Sequence, residues 1–496
     1  MTATAAPPPT SDEPLEGRTK AGRAAGITLV GQALRIVIQF GSIVVLARLL
    51  LPEDYGLLAI VLVVVGIGEI VRDFGLSTAA VRAPELTRPV RDALFWINSA
   101  MGVLLCLVVA ACAGLLADLF DRPALTGITV VLSLAFVLNG MSTQFRVTLT
   151  RRMDFRALVV ADVGAQAAAA VAAVVLAALG AGYWALVAQV LVQSAVALVL
   201  VAVPARWWPG RPRRTAGLRP FLTFGSQLVG TQLINYAGNN VDTVIIGLRL
   251  DPASLGLYNR AFQLLMTPLN QLRSPATSVA LPVLARLQGD RAQFDEYLRR
   301  GQLALGIPIV VSLGVVAGAA APVVDLFLGP RWTEVTPVLA LLAVAAASQT
   351  LAYVGLWTYL TRGLGAALFR YTVGASVLRL VCVIAGSAWG VVGVAAGYAL
   401  AAFLEWPLSL WWLSRVTEFP GRVLAFGALR ILGLAVPVGA AAWLACLVAG
   451  GLPALLELPL AVLAGAAALG LLAGVSRTVR ADLAVVLAFV RSMAGR

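Results

Sequence analysis

The 496-residue sequence contains no histidine, only four cysteines and only 12% charged residues. The absence of histidine removes the side chain that most often serves in metal ligation and proton relay, so any proton coupling would have to use carboxylates. The cysteines all lie in apolar stretches and lack the spacing of metal ligands. We therefore expect no disulfide, no metal site and no cofactor.

Motifs of nucleotide-driven or enzymatic chemistry are also missing from the sequence. We find no phosphate-cradling glycine loop, no Walker motif and no arrangement typical of a catalytic triad. Their absence argues against an ATP-driven pump and predicts that the chain is not an enzyme.

Hydrophobic residues make up 60% of the chain, and apolar runs of membrane-spanning length recur from end to end. A spanning helix needs roughly 20 apolar residues, because every backbone polar group must be bonded within the segment. This criterion predicts an all-α polytopic membrane protein with about 14 transmembrane helices, and no alternating barrel pattern competes with it. The predicted spans are 25–49, 57–82, 93–118, 126–148, 156–180, 183–205, 220–248, 253–285, 301–328, 334–361, 366–389, 391–415, 425–449 and 453–475.

Arginines in the short loops alternate between the two sides of the membrane. One side collects clusters of them after the second, fourth, sixth and eighth spans, whereas the opposite side has only Arg122, Arg249 and Arg331. The positive-inside rule then places both termini in the cytoplasm. The formal net charge of +13 is explained by topology and by contact with anionic membrane lipids, so we expect no nucleic acid partner.

The sequence aligns with itself, without gaps, at an offset of 200 residues (252 minus 52). Pro52 falls on Pro252 and Gly56 on Gly256, each at the start of a span. The matching stretches join spans 1 and 2 and spans 7 and 8, so the two halves have the same orientation. Some transporters contain two bundles related in this way by an axis along the membrane normal. We expect two six-helix bundles, with spans 13 and 14 as additional C-terminal helices.

The expected organisation follows from the spans and the repeat. It comprises a disordered cytoplasmic tail at 1–24, an N-terminal six-helix bundle at 25–205, a basic cytoplasmic linker at 206–219, a C-terminal six-helix bundle at 220–415, helices 13 and 14 at 425–475, and a basic amphipathic cytoplasmic tail at 476–496.

A polar stripe follows one face of the seventh span, in otherwise apolar sequence. Its members are Gln232, Asn235, Asn239 and Asp242. The repeat register gives the first span a matching stripe, consisting of Gln32, Arg35, Gln39 and Ser42. Interhelical hydrogen bonding is one explanation for such stripes. An ionisable residue at mid-membrane is costly, however, so Arg35 and Asp242 favour a polar substrate cavity, to which Arg260 and Arg273 of the eighth span would contribute positive charge.

Other ionisable residues inside the spans are expected to form pairs. Arg379 and Glu405 lie at similar depths on successive antiparallel spans and are predicted to form a structural ion pair. The repeat register pairs Asp73 with Arg273, and Arg72 is adjacent to that pair. These residues would either form an inner gate between the bundles or neutralise each other.

Two stretches carry a resemblance to a known family. They are "FGLSTAAVRAPELTRPVRDALFWIN", from Phe74 to Asn98, and "LGLYNRAFQLLMTPLNQLRSPATSVALPVLARLQGD", from Leu255 to Asp290. They resemble the Wzx-type polysaccharide exporters of the multidrug/oligosaccharidyl-lipid/polysaccharide (MOP) superfamily, in particular the colanic-acid and teichuronic-acid exporter branch. The resemblance covers spans 1 to 12, and "NNVDTVIIG" with "LGLYNRA" is its most specific part.

The resemblance implies two bundles in a V shape and alternating access. It also implies a flippase of the bacterial plasma (inner) membrane that moves polyprenyl-diphosphate-linked oligosaccharide from the inner to the outer leaflet for cell-surface polysaccharide synthesis. Basic residues in a central cavity are the family's common theme. Arg35, Arg260 and Arg273 would hold the diphosphate, while glutamine and asparagine side chains would meet sugar hydroxyls. A polysaccharide polymerase or glycosyltransferases are the candidate protein partners.

Two alternative functions stay open at this stage. A cation-coupled small-molecule antiporter of the same superfamily would use Asp242 or Asp73 to bind H⁺ or Na⁺. A membrane scaffold for glycan synthesis would transport nothing itself. The long match over spans 7 and 8 favours the flippase over the antiporter.

Overall fold

The computed structural model describes residues 15–83, 85–211, 229–230, 232–234 and 236–494. Within those ranges the chain consists of α-helices joined by short turns, without a strand. The predicted all-α class is therefore confirmed. The first helix begins at Leu15, which is inside the stretch that we expected to be a disordered tail.

Eighteen α-helices are present in the described part of the chain. They are α1 (Leu15–Leu49), α2 (Pro52–Asp73), α3 (Leu76–Arg82), α4 (Arg88–Ala111), α5 (Ala113–Leu119), α6 (Ala124–Arg151), α7 (Phe155–Ala178), α8 (Tyr183–Ala205), α9 (Val241–Arg249), α10 (Pro252–Arg286), α11 (Arg291–Gly318), α12 (Ala320–Phe327), α13 (Val335–Thr361), α14 (Gly365–Gly386), α15 (Gly390–Val416), α16 (Gly421–Val448), α17 (Ala454–Val475) and α18 (Arg477–Ala494).

Eleven helical segments of the described chain are long and apolar enough to cross a membrane. One of them, Gly365–Val416, holds both α14 and α15, so the eleven account for twelve of the predicted spans. Of the other two, the predicted span 220–248 lies partly outside the described residues. The second is α10, which is 35 residues long but less apolar than the eleven. The protein is thus a multi-pass membrane protein.

The predicted span 57–82 is two helices in the structure rather than one. Between α2 and α3, Phe74 and Gly75 adopt left-handed backbone conformations, with φ of 44° and 63°. Such residues cannot continue a right-handed helix. The apolar run alone did not reveal this break, because side-chain hydropathy does not report backbone handedness.

The helices pack in two groups with the same internal order. In the first group, α1 packs on α7, α7 on α8, α8 on α6, and α6 on both α4 and α2. In the second, α9 packs on α14, α14 on α15, α15 on α13, and α13 on both α11 and α10. The 200-residue offset in the sequence therefore also relates the packing of the two halves. Helices α16 and α17 extend the second group from α11 outwards.

The most extensive contact between the halves is made by α2 and α10, whose first turns touch through their backbones. Pro52 and Pro252 begin these helices, at a position where a missing N–H costs nothing. Gly56 of α2 lies against the Pro252 backbone, and Gly256 of α10 lies against the Pro52 backbone. The contact is reciprocal, as the aligned residues of the repeat require. We call this end of the molecule the turn end and the opposite end, where the loop arginines cluster, the arginine end.

Residues beyond the two glycines also join the halves at the turn end. The Trp332 indole donates to the Ala47 carbonyl at 2.7 Å, and Arg48 donates to the Leu326 carbonyl at 3.0 Å. Trp332 is fully buried, and its ring also packs on Tyr55 at 5.5 Å. Together with the Gly56 and Gly256 contacts, these interactions form what we call the turn-end seal.

We expect Gly56→Ala to destabilise the turn-end seal. A Cβ at this position has no room against Pro252, and overpacking typically costs about 1–3 kcal/mol. The apparent Tm of the purified protein in detergent should therefore fall. Gly374→Ala is the matched control, because Gly374 also lies inside a helix but has open space around it. There, alanine should be neutral or stabilise by about 1 kcal/mol. Equal Tm values for the two variants would contradict the described packing.

Candidate functional site

A polar cavity of about 510 Å³ lies in the first half, near the arginine end. It is bounded by the last turns of α2 and α6, by α3, and by the start of α7. Its polar lining includes Asp73, Ser77, Thr143, Arg146, Thr150 and Asp162. A membrane protein rarely places so many polar groups together without a partner or a ligand for them.

Asp162 of α7 lies between two arginines at this cavity. It accepts a charge-assisted hydrogen bond from Arg146 of α6, and Arg35 of α1 lies 3.5 Å from its second carboxylate oxygen. The side chains of Arg35 and Arg146 are 43% and 37% exposed, so both keep donors free for a ligand. With Arg82 and Asp73 of the cavity lining included, three arginines and two aspartates leave a formal net charge of +1 (3 minus 2), which suits an anion.

Arg35 was expected at the site, whereas Arg146 and Asp162 were not. Both are ionisable residues inside predicted spans, so the rule that selected Arg35 and Asp242 could have found them. The residue matches that define the repeat lie in spans 1, 2, 7 and 8, and the repeat therefore does not point to Arg146 or Asp162, which lie in the fourth and fifth spans.

Arg72 is held inside the first half and does not bridge to the second. It donates to Glu69 at 2.7 Å and to Thr143 at 2.8 Å, and Asn139 donates to the same Glu69 carboxylate at 2.9 Å. Arg72 is buried by these partners. The network fixes α2 against α6 behind the cavity that Asp73 lines.

The predicted pairing of Asp73 with Arg273 is not made in this structure. Asp73 accepts a hydrogen bond from Ser77 at 2.7 Å. Arg273 is buried in the second half, where it donates to the Ala346 carbonyl at 2.9 Å and to the Thr350 hydroxyl. The repeat gives the two residues equivalent positions in their own halves, but it does not bring them into contact.

The two polar stripes are only partly exposed. Gln32 and Asn239 are exposed and Gln39 is half-buried, whereas Ser42 is buried and accepts a hydrogen bond from Gln189 at 3.2 Å. Asn235 lies outside the described residues. The stripe of the first span therefore has an exposed amide near one end and an interhelical hydrogen bond at the other.

Asp242 does not line an open cavity, contrary to our expectation. It is 3% exposed. One carboxylate oxygen accepts from the Tyr258 hydroxyl at 2.6 Å and the other from the Thr243 backbone N–H at 2.9 Å. The face of a helix can be read from sequence, but what that face meets depends on the neighbouring helix, here α10.

The predicted pair of Arg379 and Glu405 is present in the second half. The guanidinium group donates to both carboxylate oxygens, at 2.7 to 3.1 Å, and both side chains are largely buried. Arg379 also lies 5.3 Å from the centre of the Tyr398 ring, and Gln349 donates to the Tyr398 hydroxyl at 3.0 Å. This satisfied arrangement indicates a structural role.

Arg260 contacts Tyr55, a residue of the turn-end seal, and does not line an open cavity. Its guanidinium carbon lies 3.4 Å from the centre of the Tyr55 ring, across the boundary between the halves, and the side chain is buried. A stacked guanidinium group over an aromatic ring is a favourable contact that strengthens when water is excluded. Arg260 therefore holds the halves together in this conformation.

An apolar groove of about 880 Å³ runs along the second half. It is bounded mainly by α10 and α11, with Phe40 of α1 on one side and Val462 of α17 on the other. Pro268 and Pro275 of α10 lie in its wall, where their missing N–H groups interrupt the helical bonding. Leu272, also in the wall, is exposed. The groove thus offers a hydrocarbon surface at the edge where the two halves meet.

Sequence comparisons show that the chain is similar to proteins of polysaccharide biosynthesis. The model of a family described as "Polysaccharide biosynthesis protein" matches residues 45–337. The lipopolysaccharide biosynthesis protein WzxC of Escherichia coli is 28% identical over 395 residues, which cover 75% of this chain and 77% of that protein. The teichuronic acid biosynthesis protein TuaB of Bacillus subtilis is 24% identical over 357 residues, which cover 71% of this chain and 73% of that protein.

Solved structures with the same fold are membrane transporters. The lipid II flippase MurJ in an inward closed conformation superposes with a TM-score of 0.68, covering 91% of this chain and 98% of MurJ at 14% identity. An inward-facing multidrug transporter of the MATE family superposes with a TM-score of 0.61, covering 80% of this chain and 95% of that chain at 14% identity. At these identities the similarity shows the fold alone.

The buried pair of Arg379 and Glu405 leads to a prediction about stability. Removing one partner of a buried pair typically costs about 3–5 kcal/mol, whereas replacing both by apolar residues can be neutral. We expect Arg379→Met and Glu405→Leu each to reduce strongly the monodisperse protein recovered by size-exclusion chromatography after detergent extraction. The double variant should recover most of it. Arg370→Met, at an exposed arginine of the same helix, is the control. Wild-type recovery of both single variants would contradict a structural role.

Proposed function

The chain belongs to the polysaccharide biosynthesis protein family, and on this premise we propose that it flips polyprenyl-diphosphate-linked oligosaccharide from the inner to the outer leaflet. The observation that carries the proposal is the arrangement at the polar cavity, where Arg146 of its lining and the neighbouring Arg35 share the single carboxylate of Asp162. The site would bind and move its substrate without a catalytic step. The relatives support this proposal, since one more of them is named a succinoglycan biosynthesis transport protein.

The distribution of arginines supports an orientation for this structure. The positive-inside rule assigns the arginine end to the cytoplasm of a bacterium and places both termini there. The turn-end seal then faces outwards, and the cavity lies on the cytoplasmic side of it. The conformation would be inward-facing, ready to receive a substrate made in the cytoplasm.

The exposed groups at the cavity match the head of such a substrate. Guanidinium groups bind phosphate oxygens through charge-assisted and often bidentate hydrogen bonds, so Arg35 and Arg146 would hold the diphosphate. Gln32, Gln39 and Asn239 carry amides that can both donate to and accept from sugar hydroxyls. The sugar would lie along the exposed parts of the two stripes.

The apolar groove on α10 and α11 matches the other part of the substrate. A polyprenyl chain needs a hydrocarbon surface for as long as its head is inside the protein. With Phe40 of α1 and Leu272 of α10 in its lining, the groove lies where the two halves border each other. We propose that the lipid chain lies in this groove, outside the polar cavity, while the head crosses.

Opening of the turn-end seal would complete the transport cycle. Arg260 is buried against Tyr55 in this conformation and would become accessible when the halves separate at that end. Arg273 and Asp73 lie towards the opposite end, so they would approach each other if that end closed. We propose that these residues contact the substrate or form the inner gate only after the conformational change.

The membrane potential can supply energy for the step. Moving an anionic head outwards across an inside-negative potential is favourable by about 2.3 kcal/mol per charge per 100 mV.

One observation favours cation coupling as a second candidate function. The carboxylates of Asp242 and Glu405 lie near a single guanidinium group, that of Arg379. One of the two negative charges is therefore left without a cation, and a bound H⁺ or Na⁺ would balance it. A small-molecule antiporter would use this site, and Asp242→Asn would then abolish coupling.

Reconstitution tests the proposed function and separates it from a scaffold. The purified protein alone, in proteoliposomes, should make a fluorescent polyprenyl-diphosphate sugar accessible to an impermeant quencher on the opposite face. Failure of the purified protein to do so would leave a scaffold for a polymerase or glycosyltransferases as the better account.

Within that assay, Arg35→Ala and Arg146→Ala test the cavity. Each removes charged hydrogen bonds worth about 1.5–3 kcal/mol, so the flipping rate should fall by about tenfold or more at wild-type protein yield. Arg122→Ala, at an exposed arginine near the turn end, is the matched control and should leave the rate unchanged. Unaltered flipping by both cavity variants would exclude them from the path.

A further inference from the structure

A second apolar cleft, of about 570 Å³, lies in the first half of the molecule, near the arginine end. It is formed by α4, α6, α8 and the segment that follows α8, whereas the halves meet chiefly through α2 and α10. Val103, Val199 and Val203 line it and are exposed. Since these helices span the membrane, the cleft opens to the lipid phase and is separate from both the polar cavity and the groove on α10.

The segment after α8 is fixed at the arginine end of this cleft. The Trp96 indole donates to the Gly210 carbonyl at 2.7 Å, and the Trp207 indole donates to Asp92 at 3.1 Å. Trp207 packs edge-on against Phe95 and is buried. Trp208 points the other way, is 74% exposed and lines the cleft. The cleft is therefore a built feature and not a gap between loosely packed helices.

Positive charge surrounds the same end of the cleft. Arg206 and Arg211 are exposed and flank Trp208 and Pro209, which line it. Arg91 stacks over the Trp207 ring at 4.3 Å and adds a third positive charge nearby, and Asp92 contributes the one negative charge among these contacts. An apolar cleft with arginines and a tryptophan at its interfacial end suits a molecule with a hydrocarbon chain and an anionic head.

We propose that this cleft binds one anionic phospholipid of the surrounding bilayer. One acyl chain fills the cleft between α4, α6 and α8, and the phosphate is held by Arg206 and Arg211. Both lipids carry a phosphate that guanidinium groups can bind, but the arginines repel the choline cation of phosphatidylcholine, so a lipid with a net negative charge is selected. The bound lipid would attach the end of α8 to the membrane surface at the point where the chain leaves the first half.

The test measures lipids retained by the purified protein after exchange into mixed micelles of phosphatidylglycerol and phosphatidylcholine, by native mass spectrometry. The wild type should retain one tightly bound phosphatidylglycerol in several-fold excess over phosphatidylcholine. Val199→Trp fills the cleft from its open side and should reduce retention at least fivefold. Val171→Trp is the matched control, because Val171 of α7 is similarly exposed but lies outside the cleft, at 64% compared with 58% for Val199.

A second pair of variants tests the head group. Arg206→Gln with Arg211→Gln should abolish the preference for phosphatidylglycerol, whereas Arg156→Gln, at an exposed arginine of α7, should preserve it. Should Val199→Trp fold poorly, Val203→Trp carries the same expectation, since Val203 is more exposed. Equal retention of the two lipids by the wild type, equal retention by the two valine variants, or a co-purifying protein in place of lipid would each overturn the proposal.

Discussion

The close approach of α2 and α10 at their first turns is the contact on which the shape of the molecule depends. Each helix presents a glycine to the backbone of the other's proline, Gly56 to Pro252 and Gly256 to Pro52. Without side chains between them, the two backbones can touch, and close backbone approach is what small residues supply in membrane helices. The buried stack of Arg260 on Tyr55 lies on the same boundary. One end of the protein is thereby closed, and the polar cavity lies away from it.

The ionisable residues inside the membrane divide according to whether their partners satisfy them. Arg379 and Glu405 satisfy each other within the second half, and Asp242 accepts hydrogen bonds from Tyr258 and from the Thr243 backbone. Arg35 and Arg146 share one carboxylate and remain partly exposed. A charge that costs several kcal/mol to keep within a membrane and is left incompletely paired is a strong candidate for ligand binding. The proposed head-group site lies in the first half, whereas the second half holds the satisfied pair of Arg379 and Glu405.

Much of this architecture could be predicted from the sequence, and the parts that could not have two physical causes. Apolar runs predict the spans, and the offset of 200 residues predicts the two equivalent halves. Matching depth in the membrane predicts the pair of Arg379 and Glu405. Each of these depends on one helix or on its position in a regular series. The direction of Asp242 depends instead on a neighbour that periodicity does not identify. The break at Phe74 depends on backbone handedness, which hydropathy does not report.

In the proposed orientation, the polar cavity is open to the cytoplasm while the turn end is sealed. Cysteine accessibility tests it directly, in a variant from which the four native cysteines have been removed and Thr78, which lines the cavity, is replaced by cysteine. In sealed vesicles of known orientation, an impermeant maleimide should label this cysteine from the cytoplasmic face and not from the outer face. Labelling from the outer face alone would contradict both the orientation and the closed turn end.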